Sequence, residues 1–243
     1  MAERKQKLPR FTTPAGILRY PTLLTPDYGT KDFPNKAGAY KTGIILDIET
    51  APVKAFLASL KPNYEDALRE GREQFKTLKV DQRKKLEKDN GGDGIKVNDL
   101  YTIQYDPTTE EPTGKVLMNF KRKASGVRKD DSTWKAEPPA LYDAKGTPIT
   151  SKAIQIWGGT TAKVNFEVRP YWISGQGAVG LSLMLRGVQI IKLVSRTIET
   201  AADMGFGVED DGFEFDPDAE TDPFMDMATP EKGNTAPDVS DDF

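Results

Sequence analysis

At 243 residues the chain has room for one sizeable domain with appendages. It contains neither histidine nor cysteine, which excludes disulfides, Cys/His zinc sites, histidine-based triads and thioredoxin-type chemistry, while two-carboxylate hydrolysis and magnesium-dependent phosphoryl chemistry survive. The net charge of −3 hides a division, because residues 199–243 hold 15 acids and one base, leaving 22 acids and 33 bases, a net of +11, in the first 198 residues.

Residues 1–10 form a basic arm with Arg4, Lys5, Lys7 and Arg10, expected to be mobile unless it lies on a phosphate backbone. Residues 15–24 read as a weak strand, closed by the turn chemistry of Thr25-Pro26-Asp27-Tyr28-Gly29. Residues 40–49 alternate more clearly. Tyr40, Thr42, Ile44, Leu46 and Ile48 share one face and Lys41, Asp47 and Glu49 the other, so Tyr40 is assigned to the core. Pro52 opens a helical stretch to about Leu60, and a second runs from about Tyr64 towards Leu78. Leu57, Leu60, Tyr64, Leu68, Phe75 and Leu78 recur at helical spacing. The basic cluster Arg83, Lys84, Lys85 and Lys88 reads as a solvated face before the loop at 90–94. Residues 100–105 and 115–123 read as strands; in the second, Val116, Met118 and Phe120 share one parity while Asn119, Lys121 and Lys123 share the other. A long loop is expected over 125–139, then strand fragments at 139–142 and 154–157.

The strongest pattern runs from Lys163 to Val194. Val164, Phe166, Val168 and Trp172 alternate with Lys163, Asn165, Glu167, Arg169 and Tyr171, and after Ser174-Gly175-Gln176-Gly177 a second run alternates Val179, Leu181, Leu183 and Leu185 with Gly180, Ser182, Met184 and Arg186. This predicts a long antiparallel hairpin with one buried and one open face. Two cations and a ring on the open face, Lys163, Arg169 and Tyr171, are the chemistry that a single-stranded nucleic acid requires of a platform. Parity puts Trp172 in the core, whereas a bulge at Pro170 would turn it outward; both readings stay open. Many short strands with one helical insertion over about 52–89 predict a mainly β fold, an oligonucleotide-binding (OB) barrel over residues 1–198. Residues 199–243 have the composition of a disordered acidic tail. Five of the eleven phenylalanines nonetheless lie there: Phe206, Phe213, Phe215, Phe224 and Phe243. A basic body joined to an acidic tail points to nucleic-acid binding with a tail for interactions.

In several places the chain resembles the replication-type single-stranded DNA-binding proteins of short-tailed bacteriophages. These are Thr25-Pro26-Asp27-Tyr28-Gly29 followed by Gly38-Ala39-Tyr40-Lys41, Phe120-Lys121 followed by Ala124-Ser125, Trp157-Gly158-Gly159 leading to Val168-Arg169-Pro170-Tyr171, Gly177-Ala178-Val179-Gly180, and the ending Asp241-Asp242-Phe243. The resemblance implies an OB barrel that coats single strands in phage replication and recombination and assists annealing, in the cytoplasm of the infected bacterial host. It also implies an acidic tail that competes with DNA and docks the phage DNA polymerase and helicase/primase. It implicates Lys121 and Tyr171 in DNA contact and Phe243, with Asp241 and Asp242, in docking.

The candidate DNA contacts are therefore Tyr28, Lys41, Lys121, Lys123, Lys163, Arg169, Tyr171 and Trp172. No catalytic residue, metal or cofactor is expected, and no membrane association, since there is neither an apolar run near 18 residues nor a signal-peptide pattern. Oligomeric state, a homodimer included, is left open. Two rivals remain: a metal-dependent nuclease, to which Asp47 and Glu49 would contribute from one strand face, and a structural phage component using the barrel for protein contacts.

Overall fold

The computed structural model describes residues 7–151, 154–194, 205 and 207. Residues 1–197 and 198–243 form separate units, and nearly all described residues belong to the first. In chain order the elements are β1 (Arg10–Thr12), β2 (Gly16–Gly29), β3 (Pro34–Asp47), α1 (Ala51–Lys76), α2 (Val80–Asn90), β4 (Lys96–Val97), β5 (Thr102–Tyr105), β6 (Pro112–Lys123), β7 (Ser125–Val127), β8 (Thr133–Lys135), β9 (Ala140–Tyr142), β10 (Thr161–Ile173) and β11 (Ala178–Lys192).

Five strands close on themselves. β2 pairs with β3, β3 with β6 and β10 with β11, all antiparallel. β11 meets β6 in parallel at one bridge, Met184 to Lys121, and β10 returns to β2 through Thr161 with Ile17 and Ala162 with Gly16. Gly16 permits this closure, because a Cβ there would lie 2.5 Å from the Ile45 carbonyl oxygen. β1 extends the sheet beside β10, and β4 and β9 run parallel to β11. The mainly β barrel expected from the alternation is thus present.

Alternate positions fill the interior: Ile44 and Leu46 from β3, Val116, Met118 and Phe120 from β6, Val164, Phe166 and Val168 from β10 and Leu185 from β11. Phe166 is the hub, with ring centroids 4.8 Å from Phe120, 6.1 Å from Phe56 and 6.0 Å from Phe11. Each such buried side chain contributes about 1.5–3 kcal/mol relative to exposure. Tyr40 is buried as well, and that burial, the largest influence on it, raises its phenol above the ordinary range.

Four expectations are corrected. The two helical stretches form one helix, α1, with Pro62 inside it. Pro62 and Ala58, whose carbonyl loses its partner, are both exposed, so water can take that bond. α1 lies on the barrel with Val53, Phe56, Leu60, Ala67, Gly71 and Phe75 buried, and the basic cluster occupies a second helix, α2, whose Leu86 is buried. Residues 25–29 continue β2 instead of ending it. The pairing slips on both sides of Asp27, which accommodates Pro26 and its missing N–H, and the chain turns at 30–33, where the Thr30 N–H reaches the Phe33 carbonyl at 3.3 Å. Residues 125–139 contain the β7–β8 hairpin, in which Trp134 covers Gly126; strands this short leave no periodicity. Residues 154–157 form no strand, and only Ile154 and Ile156 turn partly inward.

Candidate nucleic-acid interface

Once Thr42 and Phe120 point inward, Lys41, Lys121 and Lys123 must point out. Lys41 stands opposite Lys121, and Lys123 opposite Ala39, across the β3–β6 pair. The row continues to Thr22 on β2 on one side and Met184 on β11 on the other. Thr25-Pro26-Asp27-Tyr28-Gly29 and Gly38-Ala39-Tyr40-Lys41 meet at its edge. Asp27 forms an ion pair with Lys41 and accepts the Gly29 N–H at 2.7 Å. The Lys41 ammonium, followed by that N–H, holds the Asp27 carboxyl below its ordinary range. The Tyr28 ring, 57% exposed, lies over Gly38, where a Cβ would come within 2.8 Å of it.

The open face of β10 is arranged differently. Lys163 shares a cleft of about 590 Å³ with Arg10, Arg186 and Tyr142. Glu167 divides Lys163 from Arg169 along the strand and takes Arg10 at 2.8 Å and Arg186 at 3.6 Å. Arg169 is exposed opposite Ser182. Tyr171, half-buried, crosses onto Gly180, and its hydroxyl oxygen accepts from Asn98 Nδ2 at 2.8 Å. Tyr64 in turn donates to the Asn98 carbonyl at 3.1 Å, and burial first of all raises its phenol above the ordinary range. The eight residue steps from Lys163 to Tyr171 span roughly 26 Å of strand. The predicted contacts therefore do not form one row: Tyr28, Lys41, Lys121 and Lys123 gather on β2, β3 and β6, while Lys163 and Tyr171 stand towards opposite ends of β10.

The β10–β11 pairing runs without a shift through Pro170 opposite Leu181, so the bulge that would have turned Trp172 outward is not present. Trp172 is half-buried towards α1, 3.6 Å from where a Cβ on Gly71 would sit. Asp241, Asp242 and Phe243 lie outside the described residues. Asp47 and Glu49 serve the turn into α1: Asp47 Oδ1 accepts the Glu49 N–H at 2.9 Å, and Glu49 pairs with Lys54 at 3.0 Å. Among the described residues no group of three or more carboxylates is placed to hold a metal, and no helix is long and apolar enough to cross a membrane.

Arg186, which lines the Lys163 cleft and reaches Glu167, was not among the predicted contacts. The available signal was its polar parity in the second run.

A family profile described as the single-stranded DNA-binding protein of bacteriophage T7 matches residues 16–193, from the first barrel strand to just past the last. The chain belongs to that family. Its fold is similar to the crystal structure of gp2.5, a single-stranded DNA-binding protein encoded by bacteriophage T7, with a TM-score of 0.57 and 19% identity over 86% of this chain and 100% of that one; this likeness speaks for the fold alone. Structures of the single-stranded DNA-binding protein from bacteriophage Enc34 also match. The C-terminally truncated form has a TM-score of 0.45 and 12% identity over 76% of this chain and 87% of that one. The form in complex with ssDNA has a TM-score of 0.44 and 14% identity over 76% and 88%. No curated protein sequence matches the chain. Within the family's barrel, the two motifs that carry the resemblance near the N-terminus are the Asp27–Lys41 ion pair and the Tyr28 ring over Gly38.

Proposed function

We propose that this chain binds unpaired DNA without regard to sequence, on the outer face of β2, β3 and β6, and protects it during phage replication and recombination. The observation that supports this most is the pairing of Lys41 with Lys121 in direct register. Like charges facing each other across a sheet are destabilising; Asp27 offsets this in part through its ion pair with Lys41, and a strand of phosphates neutralises Lys121 as well. Lys41, Lys121 and Lys123 take phosphates, and Tyr28 offers a ring to a base. Stacking contributes about 1–3 kcal/mol per base with little dependence on its identity. Lys163, Arg169 and Tyr171 contribute where the strand turns along the hairpin, and Trp172 contributes through packing against α1.

If about four phosphates are neutralised, the single-strand slope of roughly −0.7 per contact gives a loss of about 50-fold between 50 and 200 mM salt. Fluorescence titration with oligo(dT) tests this, and a flat response across that range would reject the interface.

The tail, with its 15 acids and terminal Phe243, acts as an anionic aromatic mimic of the strand. A flexible chain of 45 residues has a root-mean-square span of about 35 to 40 Å, and tethering gives it an effective concentration in the millimolar range. DNA displaces it and frees Asp241, Asp242 and Phe243 for the polymerase or helicase/primase. Deleting residues 199–243 then tightens DNA binding and abolishes partner binding; unchanged affinity after truncation would remove the competition and leave the DNA binding standing.

A further inference from the structure

The turn between β2 and β3 holds Phe33 out in solvent. The ring is 83% exposed, the most of any large apolar side chain among the described residues. Its backbone is pinned twice: the Phe33 N–H donates to Thr30 Oγ1 at 3.2 Å, and the Phe33 carbonyl accepts the Thr30 N–H at 3.3 Å. Lys31 and Asp32, both exposed, precede the ring. Elsewhere, α1 and β5 leave a groove of about 880 Å³ between them, with Leu57 and Tyr64 from the helix and Ile103 and Tyr105 from the strand in its lining. Ile103 is 41% and Tyr105 58% exposed. Lys61 and Asp99 stand in the same wall. Among the described residues Lys31, Asp32 and Asp99 enter no ion pair, and Lys61 has only an exposed one, with Glu65 at 3.7 Å.

We infer that this groove receives the Phe33 turn of a second copy of this chain, head to tail. Three features choose that occupant. The turn presents one apolar ring on a fixed backbone, and the groove offers exposed apolar side chains that lose contact with water when the ring enters. One cation and one anion precede the ring, and one of each stands in the groove, so every charge meets its opposite. The two features also lie at opposite ends of β3. Ile103 stands beside Val116, and Val116 beside Leu46, twelve residue steps or roughly 40 Å of strand from Pro34. No chain fills its own groove, and each contact leaves one turn and one groove free, so the contact repeats as an open series. One ring and two charge pairs bury less than the roughly 1,200 Å² of a stable interface, so the contact acts between copies already held close. It is independent of the reading of the β2–β3–β6 face.

The chain has no cysteine, so introduced thiols report the contact alone. Full-length Lys31→Cys is mixed with full-length Asp99→Cys and treated with a short bismaleimide. All the positions changed here are exposed, so the variants are expected to melt with the parent. The mixture should give a cross-linked dimer far faster than either variant alone. Adding Phe33→Ala to the first variant, or Tyr105→Ala to the second, should slow that step, the Phe33 change by roughly 10- to 100-fold. One chain carrying both cysteines should give a ladder of multimers. Linking as fast in either variant alone as in the mixture overturns the inference, because like surfaces then meet. A rate that Phe33→Ala leaves unchanged overturns it too, and a double variant that stops at the dimer overturns the open series. Should Phe33→Ala instead weaken binding of an oligo(dT) too short for two chains while linking persists, the ring belongs to DNA and the inference falls with the β2–β3–β6 face intact.

Discussion

The β3–β6 face and the far end of β10 carry the same chemistry, cations and a tyrosine pointing out of the barrel, and differ in what else holds those groups. On β3 and β6 the lysines face one another, only Lys41 being held, by the exposed carboxylate of Asp27, and Tyr28 rests on a bare glycine with most of its ring in solvent. On β10 the phenol of Tyr171 is fastened to Asn98, which Tyr64 fastens in turn. Midway along the strand Glu167 already engages Arg10 and Arg186. Position on the outer face makes a group eligible to meet a ligand, and the bonds it has made inside the protein decide whether it is available.

Removing charge from the first region should have the largest effect. Each phosphate contact carries a slope of about 0.7, which between 50 mM and 1 M salt amounts to roughly 8-fold. The double variant Lys41→Ala with Lys121→Ala is therefore expected to bind oligo(dT) roughly 60-fold more weakly at 50 mM, with the salt slope reduced by about 1.4. The same pair of changes at Lys163 and Arg169 should cost less; equal losses would erase the distinction between the regions. Next comes the packing beneath the Tyr171 end. A Cβ on Gly71 would stand 2.5 Å from Val179 Cγ2, so Gly71→Ala is expected to cost about 1–3 kcal/mol in chemical denaturation, with oligo(dT) affinity unchanged. Tyr171→Phe, which deletes only the bond to Asn98, should lower stability by about 0.5–1.5 kcal/mol. If it weakens DNA binding without lowering the melting temperature, Tyr171 belongs with Tyr28 and the contrast fails.

Smaller still is the effect of Asp27→Asn, which releases Lys41. An exposed pair of this kind is weak, so tightening of only about 1.5- to 5-fold is expected in the same titration. The mildest effect is that of acid. The folded protein holds Asp27, Asp106, Asp130 and Asp143 below the ordinary aspartate range: Asp27 through Lys41, Asp106 through the Thr108 N–H, Asp130 through the Ser132 hydroxyl, and Asp143 through the Thr147 N–H. A folded value below the unfolded one gives stability that is fully present above the unfolded value and lost as pH falls through the folded one. Melting temperature should hold from neutral pH to about 4 and fall below it; a decline beginning well above that pH would assign these turns no part in it.

The alternation of Val164, Phe166 and Val168 and of Val116, Met118 and Phe120 made the barrel strands legible, because each has one face wholly buried. The hairpin of β7 and β8 was not legible, since three residues per strand leave no period. The continuity of α1 through Pro62 depends on which side of the helix faces water, and the residue sequence does not state that. At the interface, parity separated Lys41, Lys121 and Lys123 from the core. It could not give the strand order that puts Lys41 beside Lys121, nor the bond that ties up Tyr171.

The barrel has one thin join: β6 and β11 touch through the single bridge between Lys121 and Met184, while the other barrel strands are laced over longer stretches or at two positions. Backbone amides flanking that join have the least to protect them, so solvent deuterium should enter there early in the free protein. A ligand that clasps Lys121 would also staple the join shut, and slowed labelling along β6 and β11 would then register occupancy from within the backbone, without any dye or probe attached.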